Sequence, residues 1–168
     1  SIQVQVNLIH ELTHAYRRQF SNREALWLDE GLAKVMEYKY STVWPKSYSK
    51  VLARSPHIVF ADPTDEQQNQ YYGPTGDGYA FSFWFTVYLY RHFGGDRLLK
   101  KLLESPLTGW DNVVASIKSC LQESGSAIPL TLVTKDSLLR HFAVALLAND
   151  PFAAKFGLFF IDEEFEPW

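Results

Sequence analysis

The chain has 168 residues, with 16 Lys and Arg against 19 Asp and Glu, a net charge of −3 and 46% hydrophobic residues. This is the size of one domain with an ordinary globular composition, which excludes a disordered tail, a collagen-like repeat and a coiled coil. The small negative charge, with no basic patch, gives no electrostatic case for nucleic acid, and 15% aromatic residues are enough for a sizeable core or a lined groove.

The lone Cys120 cannot close an internal disulfide and excludes a cysteine-rich zinc ribbon. The longest apolar stretch runs over 79–90, interrupted by Ser82 and Thr86, against the roughly 20 residues of a membrane-crossing helix. No spanning segment is expected. Ser1-Ile2-Gln3-Val4 is no secretion signal, and the one methionine is Met36, so the chain reads as a piece of a longer protein.

Val4, Leu8, Leu12 and Ala15, widened by Ile9 and Tyr16, recur at helical spacing and predict a first helix over 4–18. A short strand over Ile2, Val4 and Val6 is the alternative. The link 21–23 leads to a second helix over about 28–40. Residues 41–78, broken by Pro45, Pro56, Pro63, Pro74 and three glycines, read as irregular, a length more common in functional loops than in plain connections. Asp77 is placed to cap a third helix over 79–93, closed by Gly94-Gly95. Asp96 is placed to cap a fourth over 97–104, stopped by Pro106. Further helices are predicted over 110–123 and, opened by Thr134, up to 148; residues 155–168 read as a strand and an exposed acidic tail. The expected fold class is mainly α.

His10-Glu11-Leu12-Thr13-His14 carries the chemistry. On a helix, residues four apart sit about 40° apart around the axis and one turn apart along it. Two imidazoles so placed can converge on one ion at about 2.0–2.1 Å, the length of a zinc–nitrogen bond. Glu11 flanks such an ion rather than binding it, and from there it can accept a proton from an attacking water and return it to a leaving amine.

A catalytic zinc site needs a third protein ligand, and Trp27-Leu28-Asp29-Glu30-Gly31-Leu32-Ala33 offers Glu30, near the start of a helix that can pack back on the first. Asp29 competes for this role but reads better as the cap of that helix. Gly31 removes a side chain where two helices approach closely. Glu37, seven residues after Glu30 and on the same face, is placed to accept the second ring N–H of a ligand histidine.

The two segments together, HExxH at 10–14 and W-L-x-E-G-x-A at 27–33, resemble the gluzincin zinc metallopeptidases, in their peptidase MA-like and aminopeptidase-like branch. Tyr79-Ala80-Phe81-Ser82, followed by an aromatic helix ending in Gly94-Gly95, parallels that family's Y-E-K-G segment, with Phe81 and Ser82 in place of its Lys and Gly. The resemblance covers about residues 4–104, and 105–168 is a helical C-terminal part of the same single domain. It implies the helical catalytic lobe of a zincin whose upstream β-sheet is largely absent from this chain. That lobe would pack against an upstream segment of the parent protein. His10, His14 and Glu30 would hold Zn²⁺, Glu11 would serve as base and acid, Tyr79 would donate to the oxyanion, and the substrate would be a peptide or protein. Tyr71 and Tyr72 are alternatives to Tyr79. The residues that separate an aminopeptidase from an endopeptidase would lie upstream of residue 1.

His92, at the end of an apolar helix, and His141, beside Phe142, read as structural, whereas His57 in the irregular segment could reach a cleft. Phe81, Trp84, Phe85 and Tyr88 follow helical spacing and read as core. The competing function class is a catalytically inactive module, stabilised by zinc, that binds or scaffolds within a larger assembly.

Overall fold

The computed structural model describes residues 2–21, 23–41 and 77–147. His57, Tyr71, Tyr72, most of the expected irregular segment and the expected C-terminal strand and tail lie outside the described residues. The described residues form α1 (Ile2–Arg17), α2 (Leu26–Ser41), α3 (Asp77–Phe93), α4 (Asp96–Glu104), α5 (Gly109–Glu123), a single 3₁₀ turn (Leu130–Leu132) and α6 (Lys135–Leu147). They contain no strand, so the fold is mainly α, and the strand alternative at Ile2, Val4 and Val6 is replaced by helix.

α3 is the centre of the molecule. Every residue from Ala80 to Leu89 is buried, including Ser82 and Thr86, as a helix apolar on all sides requires. Phe81, Trp84, Phe85 and Tyr88 are core, as their spacing predicts. Phe85 joins three neighbouring helices, its ring lying 5.7 Å from Trp27 of α2, 5.6 Å from Trp110 of α5 and 5.1 Å from Phe142 of α6. α2 packs between α3 and α1. The segment carrying Glu30 is thereby held by the core on one side and presents its other side to α1.

Gly31 is where α2 crosses α3. A Cβ there would stand 2.7 Å from the Ser82 carbonyl oxygen and 2.3 Å from Thr86 Oγ1. The Thr86 hydroxyl can turn aside, but the carbonyl belongs to helix backbone and cannot. Gly31→Ala is therefore expected to lower stability by about 1–3 kcal/mol, the usual range for overpacking. A urea midpoint equal to that of the parent would contradict this crossing.

Two expected caps are corrected. Asp77 is the first residue of α3 rather than the residue before it. Asp96 likewise opens α4 from inside, with Gly95 before it at φ 58° and no side-chain cap. Asp96 instead pairs with Lys39 at the end of α2 and accepts from the Tyr90 hydroxyl at 3.2 Å. The expected closure of α3 at Gly94-Gly95 is present: both have positive φ, and the Gly95 N–H donates to the Tyr90 carbonyl at 2.8 Å. Thr134 caps α6, accepting from the Ser137 N–H at 3.2 Å.

α1 inverts the usual sidedness of a surface helix. Its buried residues are Thr13, His14 and Arg17, all polar, while Val4, Leu8 and Leu12 are 64%, 55% and 57% exposed. The polar face is the one turned to α2.

Candidate metal centre

α1 and α2 are joined by a short link, so α2 runs back along α1 and early residues of one meet late residues of the other. His10 thus faces Glu37, and His14 faces Asp29 and Glu30. The Nε2 atoms of His10 and His14 lie 2.9 Å apart. Glu30 approaches each ring with a different oxygen, Oε2 at 3.5 Å from His10 Nε2 and Oε1 at 3.8 Å from His14 Nε2. One ligand atom from each residue falls within 4.8 Å of the others, the single such cluster of His, Cys, Asp or Glu among the described residues.

The donor set fits a zinc ion. Tetrahedral coordination at about 2.0–2.1 Å separates ligand atoms by roughly 3.3 Å, against 2.9 Å between the two Nε2 atoms and 3.5 and 3.8 Å from them to the two different oxygens of Glu30. Glu30 Oε2 is buried with no hydrogen-bond partner. Burial raises the Glu30 pKa above the ordinary carboxylate range, against the opposing pull of His10 and His14. A cation between the three residues would answer both conditions.

His10 is oriented from behind. Its Nδ1 lies 2.5 Å from Glu37 Oε1, which also accepts from Lys34 Nζ at 2.6 Å. A carboxylate only accepts, so the ring proton sits on Nδ1 and the Nε2 lone pair points at the cluster. Burial pushes the Glu37 carboxyl up, but the bonds from His10 and Lys34 outweigh it and hold the group below its usual range. The Asp29 pairing raises the His14 pKa against the effect of burial, with the charges of Glu30 and Glu11 adding to it.

Compared with known protein families, curated proteins and solved structures, the chain matches none of them.

The other residues singled out in the sequence fall into two groups. Glu11 is exposed on α1, near enough for its charge to act on His14. Tyr79, half-buried on the first turn of α3, has its pKa raised by burial and then by the charge of Glu30, with Lys34 opposing. Both therefore stand around the cluster without belonging to it. His92 and His141 are elsewhere: His141 Nδ1 shares a hydrogen bond of 2.6 Å with the Tyr88 hydroxyl, and the His92 ring lies 4.9 Å from that of Tyr88. They border an apolar pocket of about 270 Å³ with Phe93, Leu132 and Leu138.

Two features are missing from the sequence reading. Asp29 does not cap α2 from outside; it lies inside the first turn, with Oδ1 3.0 Å from His14 Nδ1. Arg17, three residues beyond His14, forms a buried pair with Glu24 at 2.6 Å. An acid beside the candidate ligand Glu30 was a usable signal for the first. Nothing in the local sequence marks the second.

Proposed function

We propose that the chain is a zinc-dependent peptidase built as the helical lobe of a zincin of the gluzincin kind. The observation that carries this reading is that one ligand atom each of His10, His14 and Glu30 lies within 4.8 Å of the others, with Glu30 Oε2 buried and without a hydrogen bond. The two Nε2 atoms are within hydrogen-bonding distance of each other, so one ring can donate to the other, whereas a divalent ion would engage the lone pairs of both rings and of the Glu30 carboxylate together. Zinc bound there supplies a Lewis acid that makes water a nucleophile near neutral pH and polarises a peptide carbonyl.

The chain's own residues do the rest. His10, His14 and Glu30 hold the ion, and Glu37, braced by Lys34, fixes the His10 ring. Glu11 takes the proton of the attacking water and passes it to the departing amine. The Tyr79 hydroxyl donates to the oxygen that gains negative charge, a contribution on the order of 3 kcal/mol for comparable donors. The substrate is a peptide or protein segment. The exposed apolar stripe of α1 supports packing against an upstream segment of the parent protein. No described helix is long and apolar enough to cross a membrane.

Elemental analysis of the purified chain should find one zinc per chain, and removing it with a chelator should lower the melting temperature. A broad peptide library should be cleaved by the loaded chain and spared after chelation. Chelator-sensitive melting with no cleavage at all would favour the inactive, zinc-stabilised module. A chain that takes up no zinc would end both readings.

A further inference from the structure

Asp29 stands in the first turn of α2, immediately before Glu30. An acidic residue there is ordinarily accounted for by the positive end of the helix dipole. Its surroundings ask more of it. Among the described residues its one ion pair is with His14, Oδ1 to Nδ1 at 3.0 Å, and it is partly buried. His14 Nδ1 is itself buried and has no aligned hydrogen bond, because Oδ1 stands off the line of the ring N–H.

We propose that Asp29 is the positioning residue of His14: its carboxylate accepts the Nδ1 proton and so directs the Nε2 lone pair to the point shared with His10 Nε2 and Glu30. The proposal rests on the metal-site reading above. Asp29 then does for His14 what Glu37 does for His10, and α2 supplies one ligand together with both carboxylates that orient the rings of α1. Because Asp29 and Glu30 are adjacent in one helical turn, the ligand and the orienting group are placed by the same piece of backbone. A shift of α2 along α1 would misplace both together, which ties the geometry of the centre to the packing of two helices.

Partners of this kind are worth about 10–100-fold in metal affinity. Competition with a chromogenic chelator should show Asp29→Ala binding zinc 10–100-fold more weakly than the parent. Asp29→Asn, whose side-chain oxygen still accepts from Nδ1, should recover part of the loss. Nitrogen-15 spectra of the zinc-free chain give a readout that needs neither metal nor activity. In the parent the proton of neutral His14 should sit on Nδ1. In Asp29→Ala it should be shared with Nε2, while His10, held by Glu37, keeps its signature. Unchanged His14 spectra, or Asn no better than Ala, would overturn the positioning role. A parent that takes up no zinc but shows the His14 change in Asp29→Ala would overturn the metal reading alone. A parent that binds zinc, with Asp29→Ala equal to it in affinity and spectrum, would overturn the role of Asp29 alone.

Discussion

Glu11→Gln should keep one zinc per chain and slow peptide hydrolysis by about 10²–10⁴-fold, the usual worth of a positioned general base. The amide has the size and shape of the carboxylate, so the packing of α1 is undisturbed. Glu11 is exposed and outside the cluster of His10, His14 and Glu30, so the ligand set is untouched. What is lost is the capacity to accept a proton. Ligand changes should behave differently. His14→Ala removes one of the three proposed ligands and should lose zinc and hydrolysis together, whereas Glu11→Gln should separate them. Zinc content measured beside cleavage of the same peptide mixture distinguishes the two patterns. A Glu11→Gln chain that cleaves at the parent's rate would remove Glu11 from the chemistry.

The clustering of His10, His14 and Glu30 was legible because it is written in spacing. His10 and His14 meet because helical residues four apart share a face, and Glu37 reaches His10 because it shares a face with Glu30. Asp29 was misread because an acid in a first turn satisfies two physical demands at once: it suits the helix dipole, and it pairs with whatever the neighbouring helix presents. Only the packing of α2 on α1 decides between them. Asp96 repeats the lesson: its carboxylate serves Lys39, from a distant part of the chain, rather than its own helix end. The helices themselves were legible to within a few residues, since Gly94-Gly95, Pro106 and Thr134 are local signals. The sidedness of α1 was not. Periodicity gives a stripe of Val4, Leu8 and Leu12, but here the opposite face is buried, since His14 and Arg17 have partners on α2 and beyond.

Arg17→Met should be among the most destabilising single changes, by about 3–5 kcal/mol, because it leaves the buried Glu24 carboxylate without its cation. The two side chains are 1% and 2% exposed. Arg17 Nε and Nη2 both donate to Glu24 Oε2, at 2.9 and 2.6 Å, and the guanidinium also donates to the carbonyls of Ser105 and Leu107, each at 2.6 Å. Glu24 Oε1 accepts the backbone N–H groups of Ala25 at 2.9 Å and Gly109 at 2.5 Å, and Asn112 Nδ2 reaches Oε2 at 3.2 Å. One ion pair thus fastens the end of α1 to the start of α2, to the 105–108 link and to the N-terminus of α5. With whole domains stable by about 5–15 kcal/mol, a loss of this size should move the urea midpoint far down. Adding Glu24→Gln to Arg17→Met removes the stranded charge and should recover part of the loss. Arg97→Met breaks an exposed contact with Glu123 of 3.9 Å and should leave the midpoint where it was. Because Arg17 anchors the helix that carries His10 and His14, Arg17→Met should also bind zinc more weakly. Saturating zinc should restore part of its stability, by about 2.7 kcal/mol at one hundred times the dissociation constant. An Arg17→Met chain that unfolds at the parent's urea concentration would mean that α1 is held by its contacts with α2 alone.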